Sequence, residues 1–71
     1  MYDGWVVIDE TGFLTAAELT KGMLEGQGIP CFIMNQQDSA YPQIGDIQIL
    51  VAPENVVRAK YLIQKSREEE E

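Results

Sequence analysis

Histidine is absent from this 71-residue chain, and cysteine occurs once, as Cys31. Without an imidazole the commonest general base is missing, and one thiol can form neither an internal disulfide nor a paired-cysteine metal knuckle. Basic residues are scarce, five Lys and Arg against twelve Asp and Glu, for a formal charge of −7. Clustered cations are what release counterions from a phosphate backbone, so no nucleic-acid partner is expected. No apolar run approaches the ~20 residues of a membrane span, and MYDGWVV at the start lacks the basic stretch and apolar core of a secretory signal. Glycine-rich phosphate loops are missing too, since Gly12 and the Gly26/Gly28 pair fit no such pattern. These absences argue against an enzyme, a bound cofactor or a membrane partner, and a lone thiol without disulfides suits a soluble cytoplasmic protein.

What is present describes a small globular domain. Hydrophobic residues make up 45% of the chain and charged residues 24%, ordinary values for a packed core. Four of the negative charges are the terminal Glu68 to Glu71, so the body is only mildly acidic. A chain this short buries about 60% of the surface its unfolded form exposes, and association with a second copy is one way to add to its core.

The elements follow from local pattern. Trp5 to Ile8 is an aromatic and β-branched run that reads as a first strand, ended by Asp9, Glu10, Thr11 and Gly12. Trp5 and Val7 fall on one face and Val6 and Ile8 on the other, which predicts cover on both sides. Thr15 and Glu18 have the spacing of a capping box, so a helix should begin there. Ala16, Leu19, Thr20 and Met23 form its apolar stripe, widened by Ala17 and Leu24, and Gly26, Gly28 and Pro30 should stop it. Gly22 inside that helix suggests close packing on the sheet. Cys31 to Asn35 reads as strand two and Ile47 to Val51 as strand three, joined by a ten-residue polar connection from Gln36 to Gly45. Pro53 and Glu54 open a second helix with a stripe of Val56, Ala59, Leu62 and Ile63, expected to end near Ser66.

The order βαββα predicts an α+β, ferredoxin-like sandwich: a three-stranded, mostly antiparallel sheet in order 1-3-2 with two helices on one face. Residues 1–66 would be one domain and 67–71 an acidic disordered tail. Relative to the full ferredoxin-like fold the last strand is missing, which leaves strand one as an open edge.

Trp5 to Ile8, Ala17-Glu18, Leu24-Glu25, Gly28-Ile29-Pro30, and Gly45 to Leu50 leading into Val51-Ala52-Pro53-Glu54 together resemble a small bacterial family of signal-transducing proteins. Its fold is similar to that of the PII-like regulators, and the resemblance spans residues 4–65. It implies sensing of a small molecule, or contact with a partner protein, through the long loop after strand two, often from an oligomer. Nucleotide-binding PII proteins use basic residues that this chain lacks, so no ligand carries over.

Among the residues themselves the loop is the favoured binding segment. Asn35, Gln36, Gln37, Asp38, Ser39, Tyr41 and Gln43 set hydrogen-bonding groups beside aromatic surface. Cys31 reads as a small buried hydrophobe, though a redox role is conceivable. Asp9 and Glu10, with Asp38 or Asp46, have the chemistry of an oxygen-ligand metal site or a carboxylate pair, against the ordinary use of carboxylates to end strands. Trp5, Tyr2, Phe32, Met34 and Leu50 read as core, unless some lie on the helix-free face of the sheet, where a second copy would cover them. The leading reading is a dimeric regulatory or ligand-sensing module. The alternative is a structural adaptor that uses the open edge and the helix-free face.

Overall fold

The computed structural model describes residues 4–36 and 46–69. Strand β1 spans Val6–Thr11, helix α1 Leu14–Gly26, strand β2 Cys31–Asn35, strand β3 Ile47–Val51 and helix α2 Val56–Glu69. The sheet has order β1-β3-β2 with both ladders antiparallel, so the expected α+β, ferredoxin-like arrangement is present. Ile47, Ile49 and Val51 are fully shielded beneath the helices, where they meet Ala17 and Leu24 of α1 and Ala59 and Ile63 of α2. Strand residues alternate sides, so Leu50 and Gln48 point to the opposite, helix-free face.

Three boundaries differ from those read in the sequence. Strand β1 does not stop at Ile8 but continues through Thr11, and its register with β3 slips by one residue between Val7 and Asp9. Val7 opposes Leu50 and Asp9 opposes Ile49, which leaves Ile8 as the extra residue of a β-bulge. The bulge lets Ile8 pack on the core while Asp9 also takes the helix side. Without it, every residue beyond Ile8 would change face.

Helix α1 begins at Leu14 rather than at a Thr15/Glu18 capping box, and its N-cap Phe13 has no side-chain hydrogen bond to the helix. The Thr11 hydroxyl instead accepts a hydrogen bond from the Phe13 N–H at 3.2 Å. At its far end the helix closes as the glycines foretell. Gly28 adopts φ +83°, its N–H donates to the Glu25 carbonyl, and the Ile29 N–H donates to that of Leu24. This is a Schellman motif, complete with apolar contact between the residues it joins, since Leu24 and Ile29 are both core members. Gly22 is exposed with open space around it, so it serves no close helix–sheet approach.

Pro53–Asn55 forms a 3₁₀ turn that leads into α2. Arg58 near the start of α2 donates to the Gln27 carbonyl at 3.0 Å and so clasps the C-terminal end of α1. Helix α2 continues beyond Ser66 through Glu69, which brings Arg67 and the first glutamates into regular structure.

Candidate functional site

Of the expected loop residues, Asn35 closes β2 opposite Ile47, and Gln36 follows it. The Gln36 N–H donates to the Asp46 carbonyl at 2.7 Å, which extends the β2–β3 ladder by one pair, and its side-chain amide lies 3.4 Å from the Met34 sulfur. Both are exposed. Gln37, Asp38, Ser39, Tyr41 and Gln43 lie outside the described residues.

Of the carboxylates considered in the sequence, Asp38 lies outside the described residues, and Asp9 and Glu10 direct their side chains to opposite faces of β1. Asp9 faces the helices, whereas Glu10 opposes Gln48 on the other face and accepts a hydrogen bond from its amide at 3.4 Å. Among the described residues no group of three potential ligands could hold a metal ion. Cys31 is buried on the covered face, where its thiol approaches the Lys21 carbonyl at 3.7 Å. Burial pushes that thiol above its ordinary value of 9.0, and Glu25 adds to the rise against the opposing influence of Lys21.

Among the described residues a concavity opens over β1, between the two helices. It is a cleft of about 290 Å³, close to the small end of the ligand-pocket range. Its polar floor is the ion pair of Asp9 and Arg67, whose guanidinium nitrogen lies 2.8 Å from the carboxylate. The Asp9 side chain is only 14% exposed, so the arginine supplies the counter-charge that a largely sheltered carboxylate requires. Thr11, Thr20 and Ser66 bring hydroxyl groups to the lining. The apolar wall is Ala16, Leu19 and Met23 of α1 with Ile63 of α2.

Leu19 belongs to the stripe expected to pack on the sheet, yet it is 72% exposed. The helix is turned so that Ala17 and Leu24 meet the core and Leu19 borders the cleft. Arg67 was also missed by reading the sequence, since nothing local to an arginine before four glutamates signals a partner 58 positions away. The bulge completes the site: by turning Asp9 inward it gives the cleft its charge.

No helix among the described residues is long and apolar enough to cross a membrane. A family model described as "Putative prokaryotic signal transducing protein" matches residues 5–67. No curated protein and no solved structure matches the chain.

Proposed function

This chain belongs to that family of prokaryotic signal transducing proteins, and on that footing we propose that it is a non-catalytic module that senses a small molecule in the cleft above β1. The observation that carries the reading is the cleft itself, in which a largely buried carboxylate paired with an exposed arginine lies beside an uncovered leucine. A charged floor orients a ligand and an apolar wall holds its body, which is the usual division of labour in a small-molecule site. The resemblance to PII-like regulators implies the same kind of role. The free, buried thiol of Cys31 favours a reducing cytoplasm as the place of action.

Thermal unfolding in the presence of a panel of amino acids, organic acids and nucleotides tests the proposal. A ligand at about 100 times its dissociation constant stabilises the folded chain by ~2.7 kcal/mol, which for a domain of this size raises Tm by more than about 10 °C. Ala16→Trp, an exposed helix position on the cleft wall, should fill the space and abolish the shift while the chain stays folded. A panel without any stabilising compound, or a shift that survives Ala16→Trp, would refute the cleft as the sensing site.

A further inference from the structure

The ion pair in the cleft above β1 leaves most of its hydrogen-bonding capacity open. A guanidinium nitrogen of Arg67 meets a carboxylate oxygen of Asp9 at 2.8 Å, and among the described residues neither side chain makes another hydrogen bond. An arginine carries several N–H donors in a planar fork, and a carboxylate has lone pairs on both oxygens, so each side can still serve a ligand. The two partners differ in freedom. Asp9 is held on a strand with its side chain 14% exposed, whereas that of Arg67 is 61% exposed. The guanidinium also borders a second hollow beside Ile8, Lys60 and Gln64, which gives it room to turn without leaving the cleft.

From this arrangement we infer that the cleft takes an α-amino acid with an aliphatic side chain, its ammonium on Asp9, its carboxylate on Arg67 and its side chain along Leu19 and Met23. The inference rests on the cleft being the sensing site and names the class of molecule sensed.

Charge selects a zwitterion. An anion drawn to Arg67 stands beside the carboxylate of Asp9, and an amine drawn to Asp9 stands beside the guanidinium, so each meets repulsion along with attraction. A ligand with both charges side by side offsets each repulsion with a second attraction. Glu10 borders the cleft as well, but its carboxylate accepts from Gln48 on the other face of the sheet. The closeness of the pair sets the spacing. Charges 2.8 Å apart match an ammonium and a carboxylate carried on the same carbon. An ω-amino acid, whose charges stand several bonds apart, reaches the pair with one end at a time. Thr20 and Ser66 bring hydroxyls to the lining, donors for the carboxylate oxygen that Arg67 leaves unmatched.

The wall decides the side chain. Leu19 is 72% exposed and lines the cleft with Ala16 and Met23, apolar surface that an aliphatic group covers and a polar one does not. A volume of about 290 Å³ is at the small end of the ligand range, which suits a molecule of leucine size rather than a nucleotide.

Isothermal titration calorimetry tests the inference with L-leucine, isocaproate, which is leucine without its ammonium, isoamylamine, which is leucine without its carboxylate, and glycine. Leucine should bind, and each of the others should bind about tenfold or more weakly, the size of a lost charged hydrogen bond or an uncovered side chain. Charge variants give a crossed signature that loss of structure would not. Arg67→Gln should weaken leucine yet strengthen isoamylamine relative to the parent, because Asp9 is then without its counter-charge. Asp9→Asn should weaken leucine yet strengthen isocaproate. Circular dichroism reports the fold of both, and if Asp9→Asn does not fold, Arg67→Gln at its exposed position decides. Isocaproate or isoamylamine binding the parent as tightly as leucine overturns the inference, as does leucine binding unchanged in the folded variants. A panel in which other compounds stabilise the chain, leucine does not, and Ala16→Trp removes their effect overturns the amino acid while the cleft stands as the sensing site. Leucine binding that survives Ala16→Trp overturns both, because it occurs elsewhere, and so does the silence of every compound.

Discussion

The two faces of the sheet are made from alternate residues of the same three strands, yet they have different fates. On one side Ile47, Ile49 and Val51 are sealed by the helices. On the other, Leu50 is shielded while Phe32 and Val7 beside it keep a third or more of their surface in water. Both central positions are aliphatic, so hydrophobicity alone does not distinguish core from the helix-free face. What distinguishes them is which face the two helices cover, a property of the whole chain. The helix side is sealed by α1 and α2, and the other side keeps part of Phe32 and Val7 in water.

The sharpest test of that contrast uses adjacent residues of β3. Ile49→Ala leaves a void among fully buried neighbours and should cost about 2–5 kcal/mol, independent of concentration. Leu50→Ala removes a side chain of the same size from the other face. In the isolated chain its cost should fall at or below the lower end of that range, because Trp5 and Phe32 at the surface can settle into the space. Denaturant unfolding of both variants checks this. Equal penalties would erase the distinction between the faces.

A smaller effect concerns how α1 is delivered to the covered face. Gly28 holds a left-handed conformation that positions Ile29 against Leu24, and an added Cβ there would meet no atom within 4 Å. Gly28→Ala should therefore destabilise by about 1–2 kcal/mol through backbone strain alone. Gly22→Ala, in open space within the helix, should stabilise by about 0.5–1 kcal/mol from helix propensity. The two alanines thus move Tm in opposite directions, in a thermal scan that needs no ligand. If Gly22→Ala lowers Tm, that part of α1 is packed more closely than the structure has it.

The same contrast explains how much of the molecule was legible in its sequence. Strand β3, the stop of α1 and the order of elements were readable because each is written locally, in the alternation from Ile47 to Val51 or in Gly28 before Pro30. The cleft was not. Its charge depends on a one-residue bulge at Ile8, which exists because of how β1 must register on β3, and on an arginine that a helix carries back over the sheet. Its wall depends on the rotation of α1 about its own axis. A wide stripe of Ala16, Ala17, Leu19, Thr20, Met23 and Leu24 permits more than one rotation, and packing chose the one that exposes Leu19. Of the residues favoured from composition, Asn35 closes β2 and Gln36 extends its ladder with β3.

The smallest effect probes whether the covered face is closed at its margin. Cys31 lies there, opposite Val51, on a strand that among the described residues pairs only with β3. Its thiol is buried, and desolvation raises its pKa above the ordinary 9.0 because the thiolate is the form that burial disfavours. Between 9.0 and the higher folded value, the unfolded chain releases a proton that the folded chain retains. Stability from this group is thus fully present below pH 9.0 and is lost as pH rises toward the folded pKa. Cys31→Ala should remove that part of the alkaline decline, so the difference in Tm between parent and variant should shift above pH 9.0 and stay constant below it. Alkylation of Cys31 at neutral pH should likewise be slow in the folded protein and fast in denaturant, since the reactive thiolate is scarce and shielded. Alkylation as rapid as that of an unfolded thiol would mean that the helix side opens at β2, and the two faces would then differ in degree rather than in kind.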